Sequence, residues 1–506
     1  MDWMHGYYAH TGYSFGYYQE TMPARLRWAA MLYKTLIPAT KFRYLDAGCG
    51  QGYNLILAAS MHPDSEFVGI DFMPEHIAHA RRLANLCGLD NVTFIEGDFA
   101  EMADDPGSLG EFDIAVCHGI STWIHVDVRN ALFSLIGNVL RPGGIFYNSY
   151  NTYPGWLAIT PFQHLVSLHQ RSSQGLTALN AARKTMDELK AASDRLFKAF
   201  PTIEPRLKSL DAQDSSYLIQ EYNNGHWQPV FVTDMMEAMS AVKLEYLGTA
   251  TISDAFEGLL TAEVRNLIRS QPDVALREQI RDYALVQSFR RDLYVKGRTP
   301  AWEVEVQDAL RAARVIANPF AQRPAEGEPY KLQNSTGDLL GNYEVYTRLL
   351  EKVAPYADGV SLGELIDSEA DQMRKGALLE TVSMMVHGGW LSPCLETAST
   401  IAPQAVQAIA GEVCQGAPYR FLPLPRTGGA IRFNETELFL TKFLGEGVPQ
   451  ADIPGKVFEL LAKLNRKIAK EGQPIEDESE ARALLDERLA TFVDTKMPFL
   501  KTVGYF

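Results

Sequence analysis

The stretch Tyr44-Leu45-Asp46-Ala47-Gly48-Cys49-Gly50-Gln51-Gly52-Tyr53 decides the fold of this 506-residue chain. Its opening residues read as the end of a buried strand, and a helix follows over Tyr53–Met61. Between them, glycines at 48, 50 and 52 leave the main chain bare. A ligand can approach such a backbone closely, and N–H groups at the helix start then face its polar end. The dinucleotide fingerprint G-x-G-x-x-G is not met. The third glycine comes one residue early, and Tyr53 stands where that motif has glycine.

Outward from this turn, strand and helix alternate to residue 150, the pattern of a doubly wound parallel sheet. The predicted strands are Phe42–Ala47, Glu66–Ile70, Val92–Ile95, Phe112–Cys117 and Gly144–Ser149. Helices are predicted over Tyr53–Met61, Pro74–Cys87 and Val128–Leu140, with Pro74 suited to a first turn and Gly88 to a stop. Asp71 ends the second strand, where a carboxylate suits a ribose diol. Dinucleotide folds share that residue, so it does not discriminate. Glu96-Gly97-Asp98-Phe99 does: Asp98 can accept from an adenine amino group while the next N–H faces a ring nitrogen. Leu140-Arg141-Pro142-Gly143-Gly144 then turns into the fifth strand. In this order and spacing the set resembles class I methyltransferases that use S-adenosylmethionine (SAM). The resemblance implies a Rossmann-like, seven-stranded α/β fold. It also implies a cofactor site of Asp46, Gly48, Gly50, Asp71, Phe72, Asp98, Phe99 and His118.

The methyl group would face the crevice beyond strands four and five. Residues His118-Gly119-Ile120-Ser121-Thr122-Trp123 follow strand four, and Ser149-Tyr150-Asn151-Thr152-Tyr153-Pro154-Gly155-Trp156 follow strand five. The Asn/Asp-Pro-Pro-aromatic tetrapeptide of adenine and glutamine methyltransferases is absent from the first, which counts against those acceptors. These stretches, with Glu221-Tyr222 through Trp227 and Phe289-Arg290-Arg291-Asp292, resemble bacterial methyltransferases carrying a methyltransferase regulatory domain. The best-known members are the rickettsial protein-lysine methyltransferases, and the resemblance spans roughly residues 15–300. It implies a protein lysine as acceptor. Lysine has a pKa of about 10.4, so presenting its neutral amine at pH 7 costs about 4.6 kcal/mol, and partial desolvation lowers that cost. His118, Tyr153 and Glu221 are the candidate catalytic residues, with Glu221 or His118 to receive the proton or orient the amine. Trp123, Asn151, Trp156, Tyr222 and Trp227 are the candidate acceptor-binding residues. A small molecule or surface glycan is the alternative acceptor. A closed aromatic cavity would favour it; an open acidic groove would favour a protein.

Residues 1–156 and 221–297 are expected to form the methyltransferase domain. Its start is aromatic-rich (Tyr7, Tyr8, Tyr13, Phe15, Tyr17, Tyr18), read as a docked segment or a lid, before a helix over Pro23–Thr35. A helix over Val232–Val242 and strands over Leu244–Ile252 and Phe289–Val295 would close the sheet, with 253–288 a helical insertion. Residues 157–220 read as another helical insertion. Its helical stripe of Leu179, Ala182, Met186, Leu189, Leu196 and Phe200 between Thr177 and Phe200 reads as a helical hairpin, a cap or, preferably, a homodimer contact. Residues 298–335 look like a polar, proline-bearing connection. Residues 336–400 resemble a winged helix, with helices near Tyr343–Val353, Leu362–Ile366 and Arg374–His387 and a wing after Gly388; 298–400 would be the middle domain. The C-terminal domain, 401–506, shows helices over Thr436–Leu444, Gly455–Glu471 and Glu478–Val493.

Forty-seven basic residues stand against 62 acidic ones, a net charge of −15 that suits nucleic acid poorly. A second alternative is a non-catalytic regulatory protein with residues 336–400 as a DNA-binding winged helix, but its helix Arg374–His387 carries only two strong cations, thin for phosphate and base contacts. The five cysteines, Cys49, Cys87, Cys117, Cys394 and Cys414, show no metal-ligand spacing, which fits a reducing cytoplasm and no metal site. The opening Met1-Asp2-Trp3-Met4-His5-Gly6 lacks a signal-peptide pattern, and no apolar run has transmembrane length. A cytoplasmic protein without membrane insertion is therefore expected.

Overall fold

Strands β1 (Arg43–Ala47), β2 (Glu66–Asp71), β3 (Val92–Glu96), β4 (Phe112–His118) and β5 (Leu140–Asn151) run parallel, as their helical crossovers require. Strands β6 (Leu244–Thr249) and β7 (Phe289–Lys296) complete one sheet in the order β3-β2-β1-β4-β5-β7-β6. Strand β7 is antiparallel to both neighbours. The computed structural model describes residues 15–213, 215–334, 337–470 and 473–505. Tyr7, Tyr8 and Tyr13 of the aromatic start lie outside them.

Successive residues of β1 serve opposite faces, which is why the adjacent Tyr44 and Leu45 are both apolar and buried. Tyr44 joins the core that holds helix Tyr53–Met61, and Leu45 joins the one that holds helix Val126–Val139. Helix Pro74–Leu86 begins on proline, and Gly88 beyond it takes a φ of +67°, as its stop position demands. Because β1 to β4 are parallel, the glycine turn, Asp71, Asp98 and His118 all emerge on one rim of the sheet.

Several expected elements end elsewhere. The stripe between Thr177 and Phe200 is divided between two helices: Gly175–Ala192 ends where Ser193 turns extended, and the short helix Arg195–Ala199 follows Asp194. Strand β6 stops at Thr249, and a turn of 3-10 helix follows at Ile252–Ala255. The supposed connection 298–335 is folded: it holds helix Glu303–Ala312, strand Arg314–Ala317 and the first strand of a hairpin, Tyr330–Asn334. Pro300, Pro319 and Pro329 lie just outside the ends of these elements. Strand Arg314–Ala317 is the centre of a three-stranded sheet with Val360–Ser361 and Leu391–Pro393. Three helices at Tyr343–Val353, Leu362–Glu369 and Lys375–His387 accompany it, so the third strand comes from upstream of the helices. Helix Ile453–Lys463 is shorter than expected because Asn465 adopts the left-handed region, φ +53°, just past its end.

The sequence reading missed helix Ala402–Cys414 and the hairpin Phe421–Leu424/Gly429–Arg432. Both lie against the helix that follows the glycine turn. The Tyr53 hydroxyl donates to the Phe421 carbonyl and accepts its N–H, and Ser399 Oγ donates to the Ser60 carbonyl. Among the described residues no helix is long and apolar enough to cross a membrane.

Candidate active site

The glycine turn opens a cavity of about 1220 Å³ at the rim of the sheet. Gly48, Gly50 and Gly52 have φ of +86°, +54° and +77°. They do different work. A Cβ on Gly48 would strike Ile120 at 2.7 Å and one on Gly52 would strike Ala80 at 2.5 Å, whereas one on Gly50 would meet nothing within 4 Å. Gly48 and Gly52 are therefore glycine for packing, and Gly50 is the bare backbone that faces the cavity. Asp71 holds this turn in place. Its Oδ2 accepts the Gly50 N–H at 2.9 Å, and its Oδ1 accepts the Met73 N–H at 2.9 Å and lies 3.1 Å from His76 Nδ1. A carboxylate has about four acceptor positions, so about one remains for an incoming hydroxyl. Asp46, behind the turn, is pushed up to about 7 by burial and then by the neighbouring Asp71.

Asp98 caps helix Phe99–Asp104 by accepting the Ala100 N–H at 2.7 Å, which fixes its carboxylate at the cavity edge beside Phe72 and Phe99. His118 forms part of the far wall. Its Nδ1 lies 2.9 Å from the Tyr147 hydroxyl and 3.1 Å from Ser149 Oγ, and Tyr18 stacks on its ring at 4.0 Å. Burial, then Arg291, pushes His118 down to about 3. The ring is neutral at pH 7 and takes up a proton poorly, which argues against the proton-accepting role expected of it. All the predicted cofactor residues line this one cavity. Phe15 and Tyr18 of the aromatic start line it too, as do Thr21 and Asn54, which were not singled out.

A second constellation sits beyond Trp123. Glu221, 3% exposed, receives Asn151 Nδ2 at 2.6 Å and Trp227 Nε1 at 3.0 Å on one oxygen, and the Tyr217 hydroxyl at 3.4 Å on the other. Trp123, which lines the cofactor cavity, also donates to this carboxylate. Burial raises Glu221 above the ordinary carboxylate range, and the donors partly oppose it. The backbone locks the three predicted segments together: the Gln228 N–H donates to the Thr122 carbonyl, Val230 to Asn151, and Tyr153 to Val230. Trp156 and Tyr222 do not stand as open channel walls. They belong to the core of the helical insertion, and Trp156 Nε1 donates to the Ser288 carbonyl at 2.8 Å. Tyr153 does not line the cavity; its ring packs on Phe231 at 5.2 Å.

A family model described as a methyltransferase domain matches residues 39–191, and one described as a predicted methyltransferase regulatory domain matches 214–296. The protein sll1526 of Synechocystis is 30% identical over 520 residues, covering all of both chains. This chain belongs to the class I methyltransferases that carry a methyltransferase regulatory domain. The methyltransferase is also 26% identical over 327 residues to RP789 of Rickettsia prowazekii, covering 64% of this chain and 58% of that one. The solved structure of PKMT2 from Rickettsia typhi in complex with AdoHcy shares its fold, with a TM-score of 0.71 at 21% identity over 97% of this chain and 100% of the other. The methyltransferase is an enzyme whose cofactor is SAM. The bare backbone at Gly50 and the spare acceptor position on Asp71 fit that cofactor.

Proposed function

We propose that this methyltransferase transfers the methyl group of SAM to the side-chain amine of lysine in a protein acceptor. The observation that carries the reading is Glu221: a buried carboxylate, held by Asn151, Trp227 and Tyr217, one side chain away from the cofactor cavity through Trp123. In this reading the backbone at Gly48 and Gly50 holds the methionine end of SAM. Asp71 takes a ribose hydroxyl, Asp98 and the Phe99 N–H take the adenine edge, and Phe72 lies against the ring. SAM supplies an electrophilic methyl group on a sulfonium. The acceptor amine passes Trp123 and Trp227, loses its proton to Glu221 and is oriented by Asn151. A raised carboxylate is a better match to that proton than an ordinary one. Aromatic faces favour the cationic amine before it is deprotonated. Tyr153, Trp156 and Tyr222 support these groups from behind.

A small-molecule acceptor is the second reading, and the 3% exposure of Glu221 favours it, since only a slender group can reach that carboxylate. Incubating the enzyme with methyl-labelled SAM and a host lysate separates the two. Label on lysines of a protein band, located by mass spectrometry, supports the first; label confined to the low-molecular-mass fraction supports the second. The division into a SAM-binding domain (1–156 and 221–297), an insertion (157–220), a middle domain (298–400) and a C-terminal domain (401–506) belongs to the same proposal, with the last two packed on the first. So does a homodimer through the insertion, on which Leu157, Leu176, Leu189 and Phe200 remain exposed. Light scattering that gives a monomer mass would reject the dimer.

A further inference from the structure

Five side chains from three parts of the chain close a ring between the cofactor cavity and the surface. His118, at the end of β4, and Trp123, in the loop after it, line the cavity. Trp123 donates to Glu221, and Glu221 accepts the Tyr217 hydroxyl at 3.4 Å. Tyr217, on helix Ser215–Asn223, lies within electrostatic reach of Tyr18. Tyr18 lines the cavity and stacks on His118 at 4.0 Å, which completes the ring.

The N-terminal member of the ring is firmly held. The Tyr18 N–H donates to Asn54 Oδ1 at 2.9 Å, on the helix after the glycine turn, and the Tyr18 carbonyl accepts Thr21 Oγ1 at 2.8 Å. Beside it the Tyr17 hydroxyl accepts the Ala430 N–H at 3.0 Å, on the C-terminal hairpin. A Cβ on Gly16 would meet Cζ and the hydroxyl of Tyr18 at 2.6 Å, so residue 16 is small where the Tyr18 ring folds back. Exposure grows outward from 3% at Glu221 and 6% at Trp123 to 37% at Tyr217, which gives the ring an inner side on the cavity and an outer side on solvent. The Tyr217 contact with Glu221 is longer than those of Asn151, 2.6 Å, and Trp227, 3.0 Å. At 3.4 Å it lies beyond the usual O–H···O range, so an entering group displaces it at little cost. The ring holds two phenols, an indole, a neutral imidazole and a carboxylate. Such faces attract a cation and pack along a methylene stem, and the carboxylate suits an amine.

We propose that this ring is the port through which the methyl acceptor reaches the cofactor, with the rings of Tyr18 and Tyr217 as the walls along its slender arm; this rests on the reading of an amine acceptor given above. The test uses the full chain and three SAM analogues with nitrogen in place of the sulfonium sulfur, bearing there a methyl, a butyl or a 4-aminobutyl group. By calorimetry the aminobutyl analogue binds at least about tenfold tighter than the methyl one, the gain of an arm lying in the port. Tyr18→Ala and Tyr217→Ala each cut that gain by at least about fivefold, whereas phenylalanine at either position keeps it, because the ring and not the hydroxyl forms the wall. Taking the ratio to the methyl analogue removes any change in how the cofactor itself is held. An aminobutyl gain that survives both alanine changes overturns the port and leaves the amine reading standing. A gain with butyl alone, removed by both changes, supports the port and overturns the amine reading. No gain with either arm overturns the port, as does a loss with phenylalanine equal to that with alanine. Should Tyr18→Ala fail to fold, as shown by lost binding of the methyl analogue, Tyr217→Ala decides alone, at a position 37% exposed.

Discussion

Asp71 serves the Gly50 and Met73 N–H groups as well as the proposed ribose hydroxyl, so its loss is felt twice. Asp71→Ala is expected to weaken SAM about 10- to 100-fold by calorimetry, the range for a lost charged hydrogen bond; unchanged affinity would remove Asp71 from the cofactor site. Glu221→Gln keeps the shape of the group but not its basicity. SAM affinity should stay within about twofold while turnover on the true acceptor falls by about a hundredfold or more. Equal losses in both would make Glu221 structural. Asp46 predicts a pH dependence. Its folded value, about 7, lies above the ordinary carboxylate range, so the folded state keeps a proton that the unfolded chain has released. Stability from this group is full below about pH 4, drains as pH rises towards 7 and stays lost above. Asp46→Asn should therefore gain stability relative to the native chain between about pH 5 and pH 8 in denaturant titrations, and an unchanged difference rejects the raised value. The strand-end carboxylates and the glycines were legible because each closes a strand at a fixed place. Tyr18 on His118 was not, since nothing in sequence spacing says which ring of an aromatic run folds back onto the sheet.

Strand β7 carries an ion cluster that ties the helix before it to the sheet. Arg290 reaches Glu278 at 2.8 Å, Asp282 at 2.5 Å and Asp292 at 2.9 Å, with the arginine and both aspartates buried. Removing the Arg290 guanidinium leaves Asp282 and Asp292 buried without their ion-pair partner, so Arg290→Met should cost about 3–5 kcal/mol in denaturant unfolding. A loss below about 1 kcal/mol would mean the carboxylates are already protonated. The same scale shows where sequence reading failed. Periodicity over Leu179–Phe200 continued across Ser193, but a stripe cannot report that the chain turns extended there. Leu179, Ala182 and Met186 pack inside the insertion, whereas Leu189 and Phe200 beyond or near the break stay exposed. Prolines in 298–335 read as linker, although Val306, Leu310, Val315 and Ile316 among them are buried core. Composition averaged over a window hides elements of four to ten residues.

One hydrophobic cluster runs from Met22 through the glycine-turn helix and residues Val306 to Leu391 to Tyr505, so the C-terminal residues share a core with the glycine-turn helix. Tyr419 stacks on Tyr53 at 4.8 Å, and its hydroxyl lies 2.6 Å from His79, whose other nitrogen lies 2.7 Å from the Gln51 carbonyl in the glycine turn. A chain ending at residue 400 should therefore lose SAM binding, and the intact chain should unfold in a single calorimetric transition that SAM shifts upward. Binding by the shortened chain would show the cofactor loop to be self-sufficient. Strand order also dictates a schedule for synthesis. The parallel half of the sheet has been synthesised once β5 ends at Asn151, yet the neighbour of β5 is β7, which begins only at Phe289. Until then the nascent protein carries an unpaired edge with Phe146 and Tyr147 on it, open to pairing with other chains. The helices of 157–285 must be made before that edge is covered, and the last strand inserts between two that are already waiting for it.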